Sequence, residues 1–242
     1  MTRSEIIKFL ILRSIGNFLL LFAIFGVLAT FGPTLYYEAE FKLAEYRGVH
    51  YQLVDPTANK NEAGFPKRDN SVFSQTTTDT SLLSILADNR ARVIIPKDTN
   101  FDIVIPKIGA NSKVFANVDA SNQSVFLPIL AQGVAHAAGT VFPGMNGNIY
   151  LFAHSTDNFW NVGRYNAVFY LLKDLVPGDD IVVFFENVRH NYVVTESKIV
   201  DGNDVSYIIN GRHSNGEILI LQTCWPPGTT WKRLLVFAKP KS

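Results

Sequence analysis

The stretch ILILQTCWPPGTTWKRLLVFA, Ile218 to Ala238, holds two apolar runs on either side of a loop. Both runs are rich in the aliphatic and aromatic residues that suit strands, and Pro226, Pro227 and Gly228 break any helix between them. The stretch reads as two strands joined by a short loop. It contains Cys224, the only cysteine in a chain of 242 residues. If the loop returns the chain to the sheet end it left, Arg233 comes back beside Cys224.

Outward from this pair the same texture continues. From about Arg92 the chain is a series of short runs, including RVIIP, FDIVIPKIG, GNIYLFAHS, DIVVFFE and NYVVTES, separated by Pro106, Gly147, Pro177-Gly178 and Gly211. Many short strands at this spacing predict a mainly antiparallel sandwich or barrel. NAVFYLLKDLVPGDD reads as one helix ending at Pro177-Gly178. Before the strands, NKNEAGFPKRDNSVFSQTTTDT is polar and reads as a flexible linker, and SLLSILADN as one short helix.

The N-terminus is different in kind. SIGNFLLLFAIFGVLATFGPTLYY, Ser14 to Tyr37, carries no charged side chain. A helix from Ile15 would reach about 33 Å by Tyr36, enough to cross the hydrocarbon layer. A cleaved signal peptide needs a shorter apolar region and a small-residue cleavage site, and TFGPTLYYEAE supplies a poor one. Arg3, Lys8 and Arg13 precede the span against one acid, Glu5, while Glu38, Glu40 and Glu45 follow it with Lys42 and Arg47. The positive-inside rule then keeps the N-terminus in the cytoplasm and places the rest outside. The expected organisation is a cytoplasmic segment 1–14, a transmembrane anchor 15–37, an extracellular tether 38–91 and one catalytic domain 92–242. The net charge of +1 and the absence of a basic stripe argue against nucleic acid as a partner.

Outside the cytoplasm structural cysteines come in pairs, so an odd one is either a reactive thiol or an intermolecular partner. A thiol attacks as its thiolate and needs a nearby histidine or cation, and acyl chemistry needs a donor for the developing oxyanion. The chain has five histidines. His50, His190 and His213 lie in the tether or in polar turns and read as surface residues. His154 ends the apolar run NIYLFAHS, a position like that of Cys224. His136 sits among glycines and alanines and reads as structural. No His, Cys, Asp and Glu cluster has metal-ligand spacing, so no metal or cofactor is expected.

GVAHAAGTVFPGMNGNIYLFAHS, residues 133–155, followed by ILQTCWPPGTTWKRLLVFA, closely resembles the sortases, membrane-anchored cysteine transpeptidases of the bacterial surface. The matched positions are Gly133, His136, Gly139-Thr140, Pro143-Gly144, Gly147-Asn148 and His154, then Leu221-Gln222-Thr223-Cys224 and Arg233. Ile105 to Gly109, IPKIG, resembles the opening strand of the family's domain, and the likeness covers about Arg92 to Lys239. Ile220 stands where the signature usually has Thr. The short loop from Cys224 to Arg233 is similar to that of the pilus-assembling classes. VDPTANK supplies Asp55-Pro56 of a lid motif but then Thr57 in place of an aromatic residue.

The resemblance implies an eight-stranded β-barrel with one or two short helices, preceded by the transmembrane helix. It implies that Cys224 attacks a carbonyl within a C-terminal Leu-Pro-x-Thr-Gly-like sorting signal, giving a thioacyl enzyme. His154 would act as general acid and then base, Arg233 would hold substrate and oxyanion, and Thr223 would contribute to substrate binding. The expected partners are surface-protein or pilin precursors, an amine acceptor on a peptidoglycan cross-bridge or a pilin lysine, and membrane lipid around the anchor. Two other readings stay open at this point. One is a thiol hydrolase with water as acceptor, and the other is a catalytically silent, membrane-tethered binding domain.

Overall fold

The computed structural model describes residues 3–54, 56, 91–155, 168–209 and 216–241. A long helix α1 (Arg3–Tyr46) leads into β1 (His50–Leu53) and, beyond the linker, β2 (Ala91–Ile94). There follow β3 (Phe101–Ile105), a 3-10 turn (Pro106–Ile108), β4 (Ala110–Val118), α2 (Gln123–Leu130), β5 (Val134–Ala137) and β6 (Gly147–Phe152). A 3-10 helix (Tyr170–Asp174), β7 (Asp180–Phe185), β8 (Val188–Asp201), the short α3 (Ser206–Ile209), β9 (Glu217–Trp225) and β10 (Lys232–Pro240) complete the chain.

Eight strands close into a barrel in the order β10-β8-β7-β3-β4-β5-β6-β9, and β1 and β2 form a separate parallel pair. Most barrel neighbours are antiparallel, as the short apolar runs predict. The parallel pairs β4–β5 and β6–β9 are the exceptions. A parallel pair needs a crossover rather than a hairpin, and α2 supplies it between β4 and β5. This helix was not apparent in the sequence reading. Its signal is Asn122, whose side chain caps it by accepting from the Ser124 N–H at 3.1 Å.

Period-2 alternation sorts each strand into two faces. Ile149, Leu151, Leu219, Leu221, Leu234 and Val236 fill the barrel interior. Tyr150, Phe152, Ile220 and Leu235 form a second core on the outer face, covered by Leu130 and Phe126 of α2. The predicted helix after Asn166 forms only as the 3-10 helix Tyr170–Asp174, with residues 156–167 outside the description. Phe169, Leu172 and Leu175 turn into the interior and plug one mouth of the barrel.

The expected boundary at Tyr37 is not where the helix stops. α1 continues for 44 residues, about 66 Å, because EAEFKLAEY consists mostly of strong helix formers. Gly48, with φ of +68°, lies just beyond its end. Its apolar part is uncovered, with Leu12, Phe18, Phe22 and Phe25 each more than 60% exposed. Its last turns dock on the barrel. Phe41 packs against the inner core, and Glu38 accepts from Lys173 Nζ at 3.1 Å and from the Tyr170 hydroxyl at 3.2 Å. The Lys173 hydrogen bond holds the Glu38 carboxyl below its ordinary range. Tyr51 and Leu53 of β1 pack on Ile94, Val104 and Val182. The stretch assigned as a tether from Glu38 is thus part of the folded body as far as Leu53. The polar linker, the SLLSILADN helix, Asp55 and Thr57 lie outside the described residues.

One outward position of β3 breaks the apolar pattern. Asp102 is 0% exposed, and neither of its carboxyl oxygens has a hydrogen-bond partner among the described residues. Burial raises its pKa to about 7, against the pull of Lys97 and of the approaching Asp98 and Lys97 backbone N–H groups. An unfolded aspartate loses its proton near pH 4. Stability therefore falls as pH rises from about 4 to 7, and above that the full penalty, on the order of a few kcal/mol, is present. Asp102→Asn should raise the melting temperature most above pH 7 and least below pH 4. Melting curves across pH 4–9 that run parallel for the two chains would show that Asp102 carries no such penalty.

Candidate active site

β9 places Cys224 next to its end, with Arg233 of β10 directly opposite it across the antiparallel ladder. The loop therefore does what the sequence pattern suggested and returns the cation to the thiol. On its other side β9 runs parallel to β6, with Phe152 opposite Gln222. The Ala153 N–H donates to the Gln222 carbonyl at 3.2 Å. Continuing that register by two residues brings His154 level with Cys224. His154, Cys224 and Arg233 share the parity of Tyr150, Phe152, Ile220 and Leu235, which places all three on the outer face of the barrel. Each is half-buried. Two strands joined by a short loop and a third from far earlier in the chain thus set Cys224 between the positions of His154 and Arg233.

The surroundings hold this arrangement rigid. Arg233 Nη1 donates to the carbonyls of Thr230 at 2.9 Å and Lys232 at 3.1 Å, which ties the guanidinium to its own loop. The loop is further closed by the Thr229 N–H and hydroxyl, which donate to the Pro226 carbonyl at 3.0 and 2.8 Å. Beneath the thiol, the Tyr150 hydroxyl donates to Gln222 Oε1 at 2.5 Å. Burial pushes the Tyr150 phenol well above its ordinary value against the opposing field of Arg233. Cys224 is a free thiol.

Thr223, expected to contact substrate, has the opposite parity from the nucleophile. It is 2% exposed, and its hydroxyl donates to the Ala153 carbonyl at 3.2 Å. That bond ties the residue before Cys224 to the residue before His154. Nothing in the local pattern identifies this strut, because it depends on the β6–β9 pairing. Ser155 is likewise buried, with the Gly228 N–H 3.5 Å from its hydroxyl.

His136, read as structural, is 0% exposed. Its Nδ1 accepts from the Asn117 N–H at 3.3 Å, so Nε2 carries the proton and faces the Val141 carbonyl and Thr140 Oγ1, each at 3.0 Å. Burial lowers its pKa and keeps it neutral. It stacks on Phe142 with ring centroids 4.6 Å apart. His190, read as a surface residue, is half-buried against Gly144 with its pKa lowered by burial. His213, Asp157 and Asn158 lie outside the described residues. Among those residues no group of three His, Cys, Asp or Glu side chains is placed to hold a metal ion.

Comparison with known proteins agrees with this architecture. Residues 103–241 match the family model of the sortase domain. Sortase D of Bacillus subtilis (strain 168) is 31% identical over 138 residues, which cover 56% of this chain and 60% of that protein's length. The crystal structure of sortase C-1 from Actinomyces oris superposes with a TM-score of 0.50 at 23% identity, covering 60% of this chain and 76% of that one. The pilus-related sortase C of Group B Streptococcus gives a TM-score of 0.49 at 26% identity, covering 60% and 69%. The Actinomyces structure shares the closed-barrel fold.

The Thr223 strut generates a direct test. Thr223→Val keeps the side-chain shape but leaves the buried Ala153 carbonyl without this donor, a loss of about 1–2 kcal/mol. Its melting temperature should fall, while Thr223→Ser should stay close to the parent chain. A valine variant as stable as the parent would mean that the hydroxyl contributes nothing.

Proposed function

Because this chain belongs to the sortase family, we propose that it is a membrane-anchored cysteine transpeptidase acting on C-terminal sorting signals of the Leu-Pro-x-Thr-Gly type. The observation that carries this reading is the register that sets Arg233 of β10 opposite Cys224 of β9 and, extended two residues past the end of β6, brings His154 level with Cys224 on the same barrel face. A thiol serving only as a small core residue needs neither neighbour.

In the proposed cycle the Cys224 thiolate attacks the carbonyl of the residue before the scissile bond, forming a C–S bond and a tetrahedral oxyanion. Arg233 faces that charge with the N–H groups not committed to Thr230 and Lys232. Collapse breaks the C–N bond as the protonated His154 gives its proton to the leaving amine. The resulting thioester is attacked by the amine of an acceptor, a peptidoglycan cross-bridge or a pilin lysine. His154 takes the proton from that amine, and the thiolate leaves. No cofactor is needed for atoms and charges to balance.

The proposed localisation, a membrane-anchored chain with its catalytic domain outside, draws its support from α1. Its residues Arg3–Ala29 are long and apolar enough to span a bilayer, with a mean hydropathy of 2.1, and none of that apolar surface is covered by the barrel. Basic residues before the span and acidic ones after it support an N-terminus in the cytoplasm and a catalytic domain outside. The span also holds the enzyme where membrane-held precursors and acceptors meet.

The test is to incubate the full chain in detergent micelles with Leu-Pro-x-Thr-Gly-like peptides and amine acceptors, following products by mass spectrometry. A ligated product is expected, and it should vanish with Cys224→Ala. His154→Ala should slow turnover by about 10²–10⁴-fold and Arg233→Ala by about 10²–10³-fold. Cleavage without ligation would replace the transferase reading by a thiol hydrolase. A folded chain that forms no thioacyl adduct with any peptide would leave only a silent binding domain.

A further inference from the structure

The anchor helix and the barrel are latched together at one particular mouth. β6 and β9 end at this mouth, β7 and β10 begin there, and the 3-10 helix Tyr170–Asp174 plugs it. Glu38, the first residue after the expected span, binds Lys173 and Tyr170 of that plug, and Lys42 lies 3.8 Å from Asp174. Further along, Ala44, Glu45 and Gly48 line a cavity of about 810 Å³ walled by Pro106, Ile108 and Gly109 and, from the plug, by Tyr170 and Leu171. The helix thus crosses the mouth from the plug toward the turn between β3 and β4. In the ring order β3 stands diametrically opposite β9. Counting outward from the bilayer, the chain meets the plug first and the β3–β4 arc second. The arc that carries His154, Cys224 and Arg233 is therefore the membrane-ward one.

The chemistry of that arc agrees independently. Trp231, on the loop between Cys224 and Arg233, is 75% exposed, and the exposed Lys232 follows it. The loop does not swing freely. The Gly202 N–H donates to the Trp231 carbonyl at 3.2 Å, and Arg233 grips Thr230. A pinned loop that holds an indole in water is unfavourable, whereas an indole beside a lysine suits the headgroup layer of a bilayer. We infer that the site-bearing arc of the barrel lies against the lipid headgroup surface, held there by the Glu38–Lys173–Tyr170 latch, with Trp231 and Lys232 as its interfacial contacts. This rests on the reading of α1 as a membrane anchor. The site then opens along the bilayer surface, which selects peptides whose cleavage point lies close to the membrane.

The single cysteine makes the test clean. The full chain is labelled with a donor dye at Cys224 and reconstituted into phosphatidylcholine–phosphatidylglycerol vesicles carrying a small share of headgroup-labelled acceptor lipid. A second chain, Cys224→Ser with Ile95→Cys, carries the dye on the opposite arc, where Ile95 is 61% exposed and its carbonyl accepts from Asn111 at the start of β4. The two arcs are about 15 Å apart across an eight-stranded barrel, so energy transfer should be at least about twofold higher from position 224. Glu38→Ala should shrink that contrast, and Trp231→Ser should lower transfer from position 224, with circular dichroism reporting whether each variant stays folded. Equal transfer from the two positions, or higher transfer from 95, would overturn the inference without any latch variant. A contrast unchanged by Glu38→Ala in a folded chain would overturn the latch. Unchanged transfer in Trp231→Ser would overturn the role of the indole as an interfacial contact. Neither measurement requires turnover, so this inference and the transpeptidase reading can fail separately.

Discussion

The parallel ladder between β6 and β9 is the constraint on which the candidate site depends. It closes the barrel, and its register decides which residue after β6 stands beside the thiol. A slip of one residue would turn His154 to the other face and bring Ala153 or Ser155 level with Cys224. The register is held from several directions. Phe152 pairs with Gln222, the Ala153 N–H with the Gln222 carbonyl, and the Thr223 hydroxyl with the Ala153 carbonyl. At the far end of the same strands the Gly147 N–H meets the Gly216 carbonyl, and Glu217 accepts from the Gly144 N–H at 2.9 Å. The glycine-rich turn before β6 is therefore tied to the first residue of β9. This gives the PGMNGN stretch a structural role distant from the chemistry.

Two buried polar groups in the barrel illustrate opposite solutions to the same cost. His136 is fully enclosed, yet both ring nitrogens are bonded and the ring is stacked, so the neutral imidazole is at home in its pocket. Asp102 is equally enclosed and has no such partners. It lies on β3, across the barrel from the thiol, so its protonation bears on folding rather than on the candidate chemistry. The histidine of a recognisable motif is thus fully bonded within the fold, while an aspartate in an unremarked strand has its pKa raised by burial.

The docking of α1 changes what counts as the folded unit. Phe41 completes the inner core from outside the family-matched region, and Glu38 and Lys42 bind the plug that shapes the mouth. Helix, plug and inner core form a continuous set of contacts. The end of the helix is thus part of the folded body rather than a free tether.

The chain of residues by itself determined a great deal. An uncharged run from Ser14 to Tyr37 can only be helical in lipid, and short apolar runs punctuated by Pro and Gly read as strands of a sandwich or barrel. A lone cysteine ending one such run, with an arginine opening the next, can be read as a pair because two strands and a short loop are local. His154 stood out because it ends a strand-like run as Cys224 does, but only the family resemblance gave it a role, since local pattern says nothing about which distant strand will lie alongside. Tertiary structure alone decided the parallel pairing of β6 with β9, the inward turn of Thr223 and its bond to Ala153, and the isolation of Asp102. It also decided that the helix runs past its expected end to clasp the barrel. Each of these depends on contacts between residues far apart in the chain, where side-chain period and propensity carry no information and only the closure of the barrel selects the partner.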